Sequence, residues 1–298
     1  MSEQQISFDA LMPADMAAKA EGVGVKKANL ALPQMFMLAV LAGAFIAMGA
    51  IFATTVLAGG ITVKAGADTA FTSGLPYGWN RFLGGLVFTV GLILVVIGGA
   101  ELFTGNNLIT MAWASGKVTL VQLLRNWGVV YVGNFVGSVL TAFIMFLSKQ
   151  YLFGSGAIGA TVLSIGESKT ALEFIPAIAL GIFCNALVCM AVWMCFGARS
   201  VGDKILAIIP PIAAFVAAGF EHSVANMYFI PVALFIKNMG DANFFETIKK
   251  VPADFPHLTW GNFFIANLLP VTIGNIIGGA VMVGLVYWFA YLRTQRKA

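Results

Sequence analysis

The chain alternates long apolar runs with short polar segments. Six of the runs are long enough to cross a membrane, because a spanning helix needs about 20 mainly apolar residues. The segment between the first two runs is rich in glycine and threonine and is predicted to be a loop. The predicted helices cover roughly 33–58, 82–114, 120–147, 172–196, 205–235 and 263–292. The pattern therefore predicts an all-α membrane protein with six transmembrane helices.

The second and fifth runs are interrupted by the same motif, Gly-x-Glu-x-x-x-small-Asn. It runs from Gly99 to Asn106 in the second run and from Gly219 to Asn226 in the fifth, 120 residues later. Lipid tolerates neither open backbone nor a lone charge, so such breaks occur where they line a cavity. Paired interruptions in corresponding halves of a chain are typical of a transport site. We therefore predict a channel or transporter rather than an enzyme, with its site where the breaks meet.

The breaks belong to a longer internal repeat. The motif Gly-Asn-x-x-Gly occurs at 133–137 in the third run and at 274–278 in the sixth, 141 residues later. Each copy of the repeat would contain three spans, an odd number, so the second copy crosses the membrane in the opposite direction. The sequence predicts a channel domain over 33–293, made of inverted halves at about 33–148 and 170–293 with both breaks near the midplane.

Composition and charge agree with a membrane protein. The chain is 59% hydrophobic and only 10% charged, against roughly 25% charged residues in soluble domains. Its net charge of +4 does not indicate nucleic-acid binding, because the basic residues lie in loops and at the ends of apolar runs. With both termini cytoplasmic, ten basic residues fall on the cytoplasmic side and seven on the other, a mild positive-inside bias. Cys184, Cys189 and Cys195 match no metal or disulfide spacing, so we expect neither metal nor cofactor.

The breaks predict a site for a small anion. A short helix restarts after each break, and its amino-terminal end carries free N–H groups and partial positive charge. His222 adds a side chain that is cationic or neutral near physiological pH, and Thr104 in the other break is placed to hydrogen-bond the imidazole. The alternative is that His222 only satisfies broken backbone. We favour the functional interpretation, because the histidine lies at a paired break within a membrane.

The remaining polar residues of the breaks are interpreted as structural. Glu101 and Glu221 are expected to accept hydrogen bonds from exposed backbone N–H groups rather than to bind substrate. Asn106 and Asn226 are expected to cap the restarted helices. The asparagines of the two Gly-Asn-x-x-Gly motifs are expected to bond across closely packed helices.

Three motifs resemble those of the formate/nitrite transporter family. They are the runs at 97–105, 181–191 and 220–226, which lie in the expected spans and order, and the resemblance covers nearly the whole chain. It implies an aquaporin-like six-helix protomer, a homopentamer, and one substrate pore in each protomer. The amino-terminal run from Phe8 to Met16 is similar to formate channels of the family. The resemblance thus implies a formate channel in a bacterial inner membrane, with membrane lipid and further copies of the chain as partners.

The resemblance also assigns residues to the pore. It implies that His222 is the central histidine, Thr104 the loop threonine, Lys169 the vestibule lysine and Asn185 the asparagine near the pore centre. It implies hydrophobic constrictions at Leu92, Leu102 and Val188 on the cytoplasmic side and at Phe88 and Phe215 on the other side. Core packing is the alternative for these apolar residues. As a hypothesis, Lys169 concentrates formate, and a hydrogen bond or proton from His222 lowers the cost of crossing an apolar ring.

The amino-terminal segment 1–32 is predicted to be an amphipathic helix at the cytoplasmic membrane surface. The last residues, 294–298, are predicted to be a cytoplasmic tail. Phe8, Leu11, Met12 and Met16 fall on one helical face. The segment is either an anchor or, as the family suggests, a cover for the pore mouths at low pH.

Several alternative functions stay open from the sequence. Nitrite, hydrosulfide and lactate are alternative substrates within the family. A water or glycerol facilitator shares half-helices, but its Asn-Pro-Ala turns are absent, and a haem protein needs paired histidines where only His222 lies in a span.

Overall fold

The protein is described by a computed structural model covering residues 9–59, 61–64 and 70–293, with backbone only at 61–64 and 70–73. Phe8 and the predicted tail at 294–298 lie outside the described residues. The helices are α1 (Pro13–Ala28), α2 (Leu32–Leu57), α3 (Tyr77–Gly98), α4 (Phe103–Asn106), α5 (Thr110–Ala114), α6 (Leu120–Leu147), α7 (Ala157–Thr170), α8 (Phe174–Gly197), α9 (Val201–Ala218), α10 (Ser223–Met239), α11 (Ala242–Ile248) and α12 (Trp260–Leu292).

Six of the described helices are long and apolar enough to cross a membrane, namely α2, α3, α6, α8, α9 and α12. This confirms the predicted helical six-span architecture. The second predicted helix is α3, which breaks after Gly98 and restarts as α4, a short 3₁₀ turn at Asn107–Ile109 and α5. The fifth is α9, which ends at Ala218 and restarts as α10. Both interruptions therefore fall where the glycine motifs predicted them.

The segments between spans contain more structure than the sequence predicted. The segment predicted as a loop between α2 and α3 holds an antiparallel hairpin of β1 (Ile61–Lys64) and β2 (Ala70–Ser73), with Ile61 opposite Ser73. The helices α7 and α11 were not predicted either. They are short and mixed in polarity, so they lack the long apolar run from which the spans were recognised.

Close packing of glycine against backbone marks the two halves of the repeat. A Cβ atom on Gly137 of α6 would overlap the carbonyl oxygen of Val40 in α2, and one on Gly278 of α12 would overlap that of Ile182 in α8. The first and third spans of each half therefore touch through equivalent glycines, which lie 141 residues apart. Small residues at such crossings let helix backbones approach closely in membranes.

The helices α1 and α7 precede the first span of each half. The buried face of α1 consists mainly of small residues, and Gly24 lies against Ile109 and Ala112 of the restarted segment. Met16 is buried, whereas Met12 is 68% exposed. The helix α1 thus packs on the protein mainly through alanine and glycine, and its amphipathic character at a membrane surface stays a prediction.

Candidate functional site

Each break begins with a glycine in the left-handed region. Gly99 has φ 73° and Gly219 has φ 78°, a conformation that a residue with a side chain adopts only under strain. Two residues later the chain is attached to a neighbouring span. The Glu101 N–H donates to Leu38 O at 3.2 Å, and the Glu221 N–H donates to Leu180 O at 3.3 Å. The two breaks thus have the same backbone geometry, fixed by the first span of their own half.

The restarted helices are capped by side chains from the third span of each half. Asn134 Oδ1 accepts from the Phe103 N–H, and its Nδ2 donates to Glu101 O, both at 2.9 Å. Asn275 makes the same pair of bonds to Ser223 N and Glu221 O, also at 2.9 Å. These asparagines also bond across the packed helices, to Ala39 O and Gly181 O, as the sequence predicted.

The prediction that Asn106 and Asn226 cap the restarted helices was wrong. Both lie one turn inside those helices, and their backbone N–H groups donate to the oxygens of Leu102 and His222. Their side chains turn back to the break instead. Asn106 Nδ2 donates to Glu101 Oε2 at 2.7 Å, and Asn226 Nδ2 donates to Glu221 Oε2 at 2.6 Å. They stabilise the carboxylates rather than the helix ends.

The two glutamates bind side chains, not the backbone N–H groups that the sequence suggested. Lys27 Nζ of α1 lies 2.7 Å from Glu101 Oε1. Asn106, which donates to the other carboxylate oxygen, also donates to Asn126 Oδ1 at 2.9 Å. The carboxylate oxygens are therefore taken by ammonium and amide donors, which are stronger partners for a buried charge. The glutamates keep the structural role assigned to them, with different partners.

The second half repeats most of this arrangement. Lys169 of α7 lies 2.7 Å from Glu221 Oε1, and Asn226 bonds Asn267 at 2.7 Å. Lys27 additionally donates to Asn106 Oδ1 at 3.0 Å, whereas Asn226 Oδ1 is buried without a hydrogen-bond partner among the described residues. The ammonium group of Lys169 thus has one carboxylate partner where Lys27 has two partners.

His222 and Thr104 join the two breaks at the centre. Thr104 Oγ1 lies 3.0 Å from His222 Nε2, and both side chains are buried. His222 is the residue before α10, and its Nδ1 accepts the Ala225 N–H at 3.0 Å. Because an accepting Nδ1 carries no hydrogen, this network assigns the neutral imidazole with hydrogen on Nε2, facing Thr104. The pair provides hydrogen-bond donors at the point where the halves meet.

A cavity approaches this pair from each side. The Lys27 cavity, of about 320 Å³, lies where α3 ends and includes Leu92, Leu102 and Lys204 in its lining. The Lys169 cavity, of about 250 Å³, includes Arg81, Phe88, Phe215 and His222. The helix α3 lines both cavities, with Arg81 and Phe88 in the Lys169 cavity and Leu92 and Val95 in the Lys27 cavity, so the two cavities lie toward opposite ends of this helix.

The apolar residues predicted as constrictions are all buried. Phe88 and Phe215 meet edge to face at 5.6 Å between ring centroids, and the Phe215 ring stacks on His222 at 5.9 Å. Leu92 and Leu102 line the other cavity, whereas Val188 is not among the lining residues of either one. Four of the five residues thus line a cavity beside the central pair.

Asn185 lies in neither cavity lining. Its Nδ2 donates to Asn275 O at 2.6 Å, to Asn107 Oδ1 at 3.0 Å and to Thr104 O at 3.3 Å. In this structure it holds the backbone of the first break against the second half. It therefore fixes the position of Thr104 rather than facing an open space.

Sequence reasoning missed Lys27, Asn126, Asn267 and Arg81. The repeat offset could have found three of them, because Lys27 precedes Lys169 by 142 residues and Asn126 precedes Asn267 by 141. Arg81 has no such signal. The described residues contain no group of three or more His, Cys, Asp or Glu side chains that could hold a metal ion.

Comparisons with known proteins identify similar chains. The family model described as "Formate/nitrite transporter" matches residues 14–289. The chain is 44% identical over 286 residues to the formate channel FocA of Escherichia coli (strain K12), covering 96% of each chain. It is 40% identical over 282 residues to FocA of Haemophilus influenzae, covering 95% of each. A solved pentameric formate channel with formate bound matches with a TM-score of 0.79 and 44% identity, over 88% of this chain and 98% of that one.

Proposed function

The chain belongs to the formate/nitrite transporter family, and we propose from this that it is a homopentameric formate channel of a bacterial inner membrane. Both FocA relatives are named formate channels, and the solved structure similar to this chain is a pentameric channel with formate bound. Members of this family are channels and transporters, and this chain is a multi-pass membrane protein. The substrate, the pentamer and the type of membrane are proposed from that likeness.

The contact between Thr104 and His222 carries the proposed route. The distance between Thr104 Oγ1 and His222 Nε2 is 3.0 Å, and a cavity lined by at least one lysine lies on each side of this contact. Formate would enter beside Lys169, pass Phe88 and Phe215, meet the central pair, and leave past Leu92 and Leu102 toward Lys27. The alternation of charged mouths, apolar layers and a polar centre is what a filter for a small anion requires.

The chemistry of the centre favours hydrogen bonding to the substrate. Moving a bare carboxylate into an apolar layer costs several kcal/mol, and donors or a proton reduce that cost. The neutral His222 donates its Nε2 hydrogen to Thr104, whose own hydroxyl hydrogen is then available to formate. A hydrogen bond from this hydroxyl would lower the cost of carrying the anion past the apolar layers. This route accounts for a histidine in a layer that otherwise excludes charge.

The Lys27 cavity is proposed to face the cytoplasm. This orientation follows from the positive-inside bias, and it puts α1 and both termini on the cytoplasmic side. Lys169 and α7 would then lie on the outer side of the membrane. Labelling of single cysteines introduced at Ser155 and at Gly22, with an impermeant thiol reagent on intact cells, checks this assignment.

The substrate is tested by flux into liposomes containing the purified protein. Formate, nitrite, hydrosulfide and chloride are compared at two pH values, with protein-free liposomes as the control. We expect formate to be the fastest of the four. Formate flux slower than chloride at both pH values would reject the substrate, and faster nitrite or hydrosulfide would assign the protein to another branch of the family.

A further inference from the structure

The carboxyl-terminal ends of two half-helices border the cavities. The last carbonyl groups of a helix have no partner within it and carry partial negative charge. Val95 and Val96, near the end of α3, line the Lys27 cavity, and Val216 and Gly219, at the end of α9, line the Lys169 cavity. An anion that approaches the central pair therefore passes a helix end that repels it, unless a cation covers that end.

Arg81 of α3 covers the end of α9. Its Nη2 donates to Val216 O at 2.6 Å, and its Nε approaches Ala217 O at 3.4 Å. Gly219 lies against the guanidinium, since a Cβ atom there would be in ordinary contact with Nη2 at 3.4 Å. The positive charge is thus held directly on the carbonyls that border the Lys169 cavity, and Arg81 lines that cavity together with Lys169 and His222.

Part of the guanidinium is left for another ligand. Arginine has five N–H donors in a planar fork, and the two carbonyl contacts use only Nε and one hydrogen of Nη2. Within the described residues, no hydrogen bond occupies Nη1. The planar fork matches the two oxygens of a carboxylate, which the point charge of a lysine does not. Lys169 in the same cavity is already paired with Glu221.

We propose that Arg81 is a second anion-selecting residue of the Lys169 cavity. It neutralises the carboxyl-terminal end of α9, and its free N–H groups receive a monocarboxylate before that ion reaches Phe88 and Phe215. The inference rests on the proposed function, since it assumes that formate crosses this cavity. In the Lys169 cavity, Arg81 would thus recognise the planar geometry of the carboxylate, whereas Lys169 supplies positive charge.

The test is electrical recording from the reconstituted channel across a gradient of potassium formate. In Arg81→Gln we expect the formate-over-potassium permeability ratio, read from the reversal potential, to fall about fivefold, the size expected for removing a cation from a helix carboxyl terminus. The formate concentration for half-maximal current should rise when formate is added on the Lys169 side and stay unchanged on the other. A residue that only supported the fold would move neither quantity in channels that assemble normally.

Two further variants make the result specific. Arg125→Gln is the matched control, because Arg125 also donates to a carbonyl, Leu30 O at 3.1 Å, but lines neither cavity. Arg81→Lys keeps the charge without the fork, so it should preserve the reversal potential and raise the half-maximal formate concentration on the Lys169 side. If Arg81→Gln does not assemble, Arg81→Lys decides the question alone.

The outcomes separate this inference from the proposed function. Wild-type reversal potential and concentration dependence in an assembled Arg81→Gln channel would overturn the role of Arg81, as would a wild-type concentration dependence in Arg81→Lys. A wild-type protein that passes no formate would reject the proposed substrate instead. The Arg81→Gln comparison would then be repeated in potassium chloride, where an unchanged reversal potential overturns the charge role as well.

Discussion

At the scale of single residues, His222 has two separable roles. It caps α10 through Nδ1 and offers Nε2 to Thr104. The variant His222→Asn keeps a capping oxygen for the Ala225 N–H but cannot titrate. Because burial and the Ala225 N–H both favour the neutral imidazole, we expect wild-type formate flux in liposomes to change only at the acidic end of a pH series, where His222 gains a proton, and the His222→Asn profile to be flatter. His222→Phe should nearly abolish flux, because it removes the polar group between apolar layers.

The comparison of pH profiles requires that the His222→Asn channel still conducts formate, which we expect because asparagine keeps the helix cap. Flux in that variant at a single pH serves as the control for assembly. If its pH dependence equals that of the wild type, the proton-sensitive group lies elsewhere, and the amino-terminal helix α1 becomes the next candidate.

The apolar residues of the pore can be distinguished from core residues by selectivity. Leu92→Ala and Phe215→Ala should raise the flux of acetate and lactate relative to formate, with the oligomer retained, because these side chains border a cavity. Leu163→Ala is the matched control, since Leu163 is fully buried and lines neither cavity. It should cost about 2–5 kcal/mol of stability without changing selectivity. Loss of the oligomer in Leu92→Ala or Phe215→Ala with unchanged selectivity would indicate core packing.

Sequence reasoning was most reliable for residues that the repeat places twice. The glycine, glutamate and asparagine of each break recur with one spacing, and so do Asn134 and Asn275. The repeat offset relates Lys27 to Lys169, but it does not show that these lysines contact Glu101 and Glu221. These contacts depend on where the chain folds back, so that Lys27 of α1 and Lys169 of α7 reach carboxylates 74 and 52 residues away.

At the scale of helices, contacts through glycine hold the spans of one half together. Gly137→Ala places a methyl group against Val40 O and should destabilise the fold by about 1–3 kcal/mol, the usual cost of overpacking. Gly128→Ala lies in the same helix but meets nothing within 4 Å, so it should be neutral or slightly stabilising. The melting temperature of the detergent-solubilised protein measures both. Equal melting temperatures for the two variants would contradict close packing of α2 on α6.

The spans were predictable from sequence, and the short helices between them were not. A run of about 20 apolar residues is a strong local signal, and α6 begins and ends at the predicted residues. The helix α7 has no such run, yet it carries Lys169 to the cavity. Its position is set by tertiary contacts, which local periodicity does not report.

At the scale of the whole molecule, the inverted repeat produces two similar mouths from different parts of the chain. Each mouth combines a lysine, a glutamate and two asparagines beside the end of a half-helix. The mouths differ in how tightly the lysine is held, because Lys27 bonds both Glu101 and Asn106. The pentameric state, by contrast, is not indicated by the hydrophobic pattern of the sequence. It was expected only from the resemblance to a family.

The repeat predicts that removing either lysine affects only its own side of the membrane. Lys169→Gln should raise the formate concentration for half-maximal flux from the Lys169 side, and Lys27→Gln should raise it from the opposite side, because local positive charge concentrates an anion at the mouth. The rise in half-maximal concentration should be smaller at high salt, because salt screens charges with a Debye length of about 10 Å at 0.1 M. Flux into oriented liposomes, with formate supplied to one face at a time, gives both values.

Each of these variants also leaves a glutamate without its cation, which lowers stability. The double variants Lys169→Gln with Glu221→Gln, and Lys27→Gln with Glu101→Gln, remove both charges and control for that loss. In them we expect assembly to recover and the one-sided rise in half-maximal concentration to shrink, because the second change removes the negative charge that the single variant leaves unpaired. The destabilisation should be larger for Lys27→Gln than for Lys169→Gln, because Lys27 loses two hydrogen bonds. Equal effects from both faces for either lysine would show that the two cavities do not serve as separate mouths.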